Sequence, residues 1–353
     1  MSGKVVLKKR SKPEGPEIRE LIVTCGGGIE PVLAEEIGWA GYTVTAVEKG
    51  AVRVSGTWRE VALFNTVVRT GSRVLASIAR PAARDFDKVY RAAGDLAWEH
   101  IVSPERTFMI VASSRSRTMP DHRFLAMRVK DALVDRQRRL FGGRRSSVDK
   151  RNPDVIIVVH ADDDGVDLSL DTTGAPLHER GYRLETGDAP LRENVAAMLL
   201  LESGVTTGET GVLLDPFCGS GTIPIEAALI RDGIAPGRNR GFAFQRLPYT
   251  IDGIDRVGGA DPPSPPQRRS TPQIIGTDVD PEVVAIARRN AERAGVGDRV
   301  RFEVADYRDA VRTHVHGGAG RIVTNVPYGV RLHHEDLSSL YSSLGEELRG
   351  RAG

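Results

Sequence analysis

Four stretches in the second half of the chain carry residue types suited to holding a nucleotide. Asp215-Pro216-Phe217-Cys218-Gly219-Ser220-Gly221 closes an apolar run with an acid, and glycines 219 and 221 would let a ligand approach the backbone closely. The loop lacks the GxxxxGK[ST] pattern of a P-loop. Cys218 stands where a hydrolase elbow needs its first glycine, and Pro224 where a dinucleotide loop needs its third. Asp278, in Gly-Thr-Asp-Val-Asp-Pro, is placed to accept hydrogen bonds from two ribose hydroxyls, and Asp306, in Glu-Val-Ala-Asp-Tyr, to reach an adenine amino group. Asn325-Val326-Pro327-Tyr328 sets an amide beside a stiff turn and an aromatic ring, a device for holding a flat, nitrogen-bearing substrate. Any one of these residues could be an ordinary cap or turn; four in order point to a single binding edge.

The elements that must position them are read from periodicity. Residues 211–215, 273–280, 299–306 and 321–325 read as strands, the last ending at Asn325. Helical patterns fill 194–204, 222–233 and 281–295. Strands alternating with helices predict a parallel, doubly wound sheet, with Asp215, Asp278, Asp306 and Asn325 along its carboxyl edge. A stretch inserted over 231–272, whose end is rich in Gly, Pro and Ser, reads as a surface loop. The first half mixes a strand at "ELIVTC", a helix at "GIEPVLAEEIGWAG", an alternating hairpin at "TVTAVEKGAVRVSG" and a helix at "WREVALFNTVV". It continues with a strand at "TFMIVASS", a helix over 126–141, and two strands joined at Asp-Gly in "DVIIVVHADDDGVDLSL". That order predicts one or two small α+β domains.

Composition narrows the class. Of 353 residues, 40% are apolar and 27% charged, an ordinary globular balance. No apolar run approaches the roughly 18 residues needed to span a bilayer. The start is basic, without the core of a signal peptide, and reads as a solvated tail. Two cysteines without CxxC spacing and eight histidines without ligand spacing predict no metal site, no disulfide framework and a reducing cytoplasm. Net charge is only +2, yet residues 112–151 hold twelve Lys/Arg against four Asp/Glu. Such a concentration suits a polyanionic partner, although the amphipathic "RVKDALVDRQRRLF" could also be a solvated helix face.

"DPFCGSG" resembles the first motif of class I S-adenosylmethionine-dependent methyltransferases, and "NVPYG" the [DN]PP[YF] motif of enzymes that methylate exocyclic amino groups. "LDTTGAPLHERGYR", "APLRENVAAMLLLESG", "IAPGRNRGFAFQ" and "RRSSVDKRNPDVIIVV" are similar to segments of THUMP-domain guanine-N2 methyltransferases of bacterial large-subunit ribosomal RNA; the transfer-RNA guanine-N2 enzymes share much of the pattern. The resemblance covers roughly residues 18–353. It implies an α/β protein: a basic tail over 1–17, a ferredoxin-like domain over 18–80, an RNA-binding THUMP domain over 81–170, a connector over 171–190 and a Rossmann-like methyltransferase domain over 191–353, expected to lack its last strands. S-adenosylmethionine would be held by Asp215, Phe217, Gly219, Gly221, Asp278 and Asp306. Asn325, Val326, Pro327 and Tyr328 would clamp the base, the Asn325 oxygen and the Val326 carbonyl each accepting from the guanine amino group. Valine stands where the family has its first proline, and a main-chain carbonyl survives that change. Arg138, Arg139, Arg144, Arg145, Lys150 and Arg151 would meet structured RNA, ribosomal rather than transfer RNA, and the protein is expected to be a monomer. The same clamp would serve an adenine or cytosine amine, and an RNA-binding assembly protein without catalysis is the reading from another class.

Overall fold

The computed structural model describes residues 16–185, 191–204, 211–247, 272–315, 320–327 and 334–349. Tyr328, nearly all of the basic tail, the Pro- and Ser-rich part of the insertion and residues 186–190 of the connector lie outside the described residues. The first half comprises β1 (Glu20–Thr24), α1 (Glu30–Trp39), β2 (Val44–Glu48), β3 (Ala51–Val54), α2 (Trp58–Val67), β4 (Arg73–Ala79) and α3 (Phe86–Asp95). It continues with β5 (Thr107–Ser114), α4 (His122–Leu140), β6 (Ser147–Val148), β7 (Val155–Ala161) and β8 (Val166–Asp171). Helix starts follow local chemistry. Glu60 accepts the Thr57 N–H at 2.8 Å ahead of α2, and Asp121 accepts from Arg123 and Phe124 N–H at 2.9 and 3.1 Å. That cap begins α4 at His122, four residues before the start read from its apolar spacing.

The first half forms one sheet, in the order β2-β3-β1-β4-β8-β7-β5-β6. The expected ferredoxin-like and THUMP regions therefore share a continuous ladder, joined where β4 pairs antiparallel with β8, Leu75 opposite Asp171 and Ala76 opposite Leu170. Strand β4, helix α3 and a helix following Asp306 had no counterpart in the sequence reading. One buried cluster spans both regions, from Leu21, Phe64 and Ala76 to Phe108, Leu133 and Leu168.

The second half is built from α5 (Glu193–Glu202), β9 (Val212–Asp215), α6 (Thr222–Arg231), β10 (Gln273–Asp278), α7 (Pro281–Arg293), β11 (Val300–Val304), α8 (Tyr307–His314), β12 (Gly320–Ile322) and α9 (His334–Arg349). Its strands run β11-β10-β9-β12, all parallel. The chain steps outward from β9 to one side and then returns to the other, which creates a topological switch point beside β9. β12 stops at Ile322, earlier than the expected end at Asn325; Val323 N–H still donates to the Leu214 carbonyl at 3.1 Å. The described start of the insertion is packed, not a free loop. Ala243 and Phe244 N–H donate to the Thr173 and Thr172 carbonyls at 3.1 and 2.9 Å, and Phe242 and Phe244 stack at 5.5 Å within the first half's core.

Candidate active site

At the end of β9 the chain turns sharply into α6. Cys218 N–H donates to the Thr277 carbonyl of β10 at 2.8 Å, and Gly221 N–H returns to the Cys218 carbonyl at 2.9 Å. Gly221 adopts φ +88°, and a Cβ there would lie 3.0 Å from Ala287 Cβ and 3.1 Å from Phe302 Cζ, so a side chain is excluded by conformation and by space. Gly219, at φ +53°, faces open space: an added Cβ would meet nothing within 4 Å. The loop thus presents bare backbone, followed by the N-terminus of α6, where the Thr222 and Ile223 N–H groups have no partner among the described residues.

Asp278 lies beside this loop. One of its oxygens accepts the Gly219 N–H at 3.0 Å and the other the Asp280 N–H at 3.1 Å, which leaves further lone pairs for hydroxyl donors. Val279, next in the chain, is 72% exposed, an apolar surface at the strand end that sequence reasoning passed over. Asp306 caps α8, accepting the Arg308 N–H at 2.9 Å, so the local capping role holds for it. Its neighbour Tyr307 packs against Phe217 with ring centroids 5.1 Å apart, under the Arg308 guanidinium at 4.7 Å. The Tyr307 hydroxyl is buried without a hydrogen-bond partner among the described residues. A carboxylate, an exposed apolar side chain, an aromatic pair and open backbone N–H groups are a donor set that fits a nucleoside-bearing ligand.

Asp215 is bound within the protein itself. It is almost fully buried and accepts from Thr324 Oγ1 at 2.6 Å and from Phe217 N–H at 3.2 Å. Burial pushes its pKa up to about 7, against those two hydrogen bonds and with a further push from the Asp278 charge. It ties the glycine loop to the segment that carries the candidate clamp. Sequence spacing could not show that Thr324, beside Asn325, is its partner. Asn325, Val326 and Pro327 are half-buried. Neither the Asn325 side chain nor the Val326 carbonyl has a hydrogen-bond partner among the described residues. Along the carboxyl edge the structure therefore brings Asp306, Asp278, Asp215 and Asn325 into the order of strands β11, β10, β9 and β12.

The candidate RNA-facing side chains lie far along the chain from this edge. Lys130, Arg138, Arg145 and Val148 line a groove of about 470 Å³ between α4 and β6. Arg139, Lys150 and Arg151 are exposed. The basic surplus is smaller in space than along the chain. Arg144 pairs with Glu105, Arg138 with Asp135 at 3.5 Å, Arg136 with Glu99 at 2.8 Å and Arg117 with Asp163 at 2.8 Å. Among the described residues no His/Cys/Asp/Glu group could hold a metal ion, and no described helix is long and apolar enough to cross a membrane.

Among the described residues, a four-stranded parallel sheet with a switch point at β9, a glycine loop and acids at its edge defines the second half as a Rossmann-like methyltransferase fold, joined here to a ferredoxin-like and THUMP half. Residues 20–75 match the RlmL ferredoxin-like domain, 83–171 the THUMP domain and 180–352 the RMKL-like methyltransferase domain. The chain belongs to this THUMP-bearing, RMKL-like methyltransferase family. It is similar to ribosomal RNA large subunit methyltransferase K/L of Syntrophotalea carbinolica, 39% identical over 344 residues that cover 94% of this chain and 47% of that protein. The chain thus spans about half the length of the curated relatives it matches. Among solved structures it resembles a predicted N6-adenine-specific DNA methylase from Listeria monocytogenes, with TM-score 0.79, 30% identity and coverage of 95% of this chain and 86% of that one. It also resembles SMU.472, a putative methyltransferase complexed with SAH, with TM-score 0.78, 28% identity and coverage of 95% and 87%.

Proposed function

We propose that this chain, as a cytoplasmic monomer, transfers a methyl group from S-adenosylmethionine to the exocyclic N2 amino group of a guanine in large-subunit ribosomal RNA. The observation that carries the reading is the pair of acceptors left without a partner among the described residues, the Asn325 side chain and the Val326 carbonyl, held beside the glycine loop by the bond from Thr324 to Asp215. The names of the curated relatives support ribosomal RNA as the substrate, and the SAH complex of SMU.472 supports the cofactor.

S-Adenosylmethionine supplies an electrophilic methyl on a sulfonium. The protein's task is to orient a weak nucleophile. A guanine amino group has its lone pair delocalised into the ring, and two acceptors on its two N–H bonds fix its direction and draw electron density toward nitrogen. Asn325 and Val326 are the residues for that work, and positioning of this kind supplies a large share of a rate enhancement. The new N–C bond forms as the C–S bond breaks, and the amine then releases one proton. Asp278 would hold the ribose, the Phe217–Tyr307 pair and Val279 would line the adenine side, and the loop at Gly219 would leave room for close approach. The exposed basic groups on α4 and after it would contact RNA phosphates.

The test is incubation of the protein with large-subunit ribosomal RNA and methyl-labelled cofactor, followed by nucleoside digestion and mass spectrometry. N2-methylguanosine is the expected product. N6-methyladenosine or N4-methylcytidine would replace the guanine assignment with another exocyclic amine. Labelling of transfer RNA alone would move the substrate. RNA binding without cofactor binding would leave only a binding protein.

A further inference from the structure

The glycine loop is gripped from outside by two side chains that belong neither to the strand ends nor to the loop. Arg183 lies in the connector leading out of the THUMP-bearing half. Its Nη1 donates to Thr222 Oγ1 at 3.3 Å and to the Leu191 carbonyl at 2.7 Å, while Nη2 pairs with Glu193 at 2.9 Å. Asn290, on α7, is fully buried and uses its whole amide. Nδ2 donates to the Ser220 carbonyl at 3.1 Å and to the Glu185 carbonyl at 3.2 Å, and Oδ1 accepts from Arg293 at 3.1 Å. Glu185, the next connector residue to reach across, is itself held in ion pairs by Arg289 and Arg293.

These contacts bracket the residue with the least freedom to move inward. Gly221 sits between Ser220 and Thr222, already against Ala287 and Phe302. Its neighbours on both sides are fixed by donors from the connector and from α7. A glycine-bearing turn left to itself samples many backbone conformations, so the loop's shape depends on what restrains residues 220 and 222. The restraint here is polar, directional and anchored in the connector. That connector is seated in turn on both halves: Arg180 donates to the Arg69 carbonyl at 2.6 Å, and Tyr182 to Glu226 of α6 at 3.0 Å.

We propose that Arg183 and Asn290 are positioning residues for the cofactor, holding Ser220 and Thr222 so that the open backbone at Gly219 and the first N–H groups of α6 are presented in one fixed arrangement. Cofactor affinity then depends on a segment at the junction of the two halves, where the match to the methyltransferase domain begins. The proposal rests on the reading that the glycine loop binds S-adenosylmethionine. It predicts a loss of cofactor affinity without a matching loss of RNA affinity, which a merely structural role would not produce.

Calorimetric titration of S-adenosylhomocysteine into the full chain, its Arg183→Met variant and its Asn290→Ala variant tests this, with RNA binding and thermal unfolding followed in parallel. Each folded variant should bind S-adenosylhomocysteine about tenfold more weakly or worse, the scale set by losing one charge-assisted or buried hydrogen bond, while RNA affinity stays at the parent's value. Unchanged S-adenosylhomocysteine affinity in both folded variants, with a parent that binds, overturns the positioning role. A parent that does not bind overturns the functional reading instead. Should either variant fail to fold, Thr222→Val removes the hydroxyl that Arg183 grips at nearly constant volume, and Thr222→Ser restores it. Weak binding rescued by serine supports the proposal, and equal affinities for valine and serine overturn it.

Discussion

Replacing the sealed carboxyl at the end of β9 by an amide should stabilise this protein at neutral pH. Asp215 is only 2% exposed, and burial raises its pKa from 3.8 to about 7 despite hydrogen bonds from Thr324 and Phe217. A change of that size corresponds to about 4 kcal/mol against the ionised form. An acid whose folded pKa lies above its unfolded value contributes fully below the unfolded value, and the contribution is lost as pH rises through the folded one. Asp215→Asn keeps an oxygen for Thr324 and Phe217 but has no proton to lose. The parent should therefore lose stability relative to the variant between about pH 4 and pH 7, by as much as about 4 kcal/mol, and the difference should level off above that window. Glu193 is also raised, from 4.5 to about 7, chiefly by burial, and titrates in the same direction. It is present in both proteins and cancels in the difference. Urea unfolding of both at about pH 4.5, 6 and 8 provides the measurement. A difference that stays constant across the series would refute the reasoning, because Asp215 would then ionise as freely in the folded chain as in the unfolded one.

Three further outcomes follow from the edge and the basic face. Asn325→Ala should cut turnover by about 100-fold or more, an orientation effect, with cofactor and RNA affinities kept; methylation near the parent rate would remove the clamp role. Asp278→Ala should weaken S-adenosylmethionine binding by about 1.5–3 kcal/mol per lost charge-assisted bond, read by calorimetry, and unchanged affinity in a folded variant would contradict the ribose assignment. Reversing Arg138, Arg139, Arg144 and Arg145 to Glu should weaken RNA binding and flatten its salt dependence, since phosphate contacts release counterions. Equal affinities at two salt concentrations would mark these side chains as a solvated helix face.

Much of the second half was legible because each parallel strand is a short apolar run closed by an acid or amide, and each helix follows at once. The strand at Thr107–Ser114 and the hairpin of β2 and β3 were legible in the same way, from apolar content and alternation. β4 was not. Its residues, RVLASIA, sit between β1 and β8 and are buried along nearly the whole length, so small Ala and Ser side chains replace the in-and-out alternation a half-exposed strand would show. α8 is eight residues long with Tyr307, Ala310 and Val311 as its buried side chains, too few to register as a period. The acids at the strand ends could be placed in order from the sequence, but not their partners. Thr324 meets Asp215, and Asn290 meets Ser220, across separations that only the folded sheet closes. Charge counting along residues 112–151 likewise could not include Glu99, Glu105 and Asp163, which arrive from other elements and neutralise part of the surplus.

The pairing of β4 with β8 also bears on how this protein can be divided. A cut near residue 80 looks safe along the chain, because it falls after one family match and before the next. In space it would strip a neighbour from each of two interior strands. A fragment beginning there would display the open backbone of Val166–Asp171, and the piece left behind would display that of Arg73–Ala79. Bare strand edges recruit other strands. The smallest portion of the first half expected to stay dispersed in solution therefore runs from β1 through β8, and evolution or engineering that exchanges its substrate-reading surface must move both family segments together.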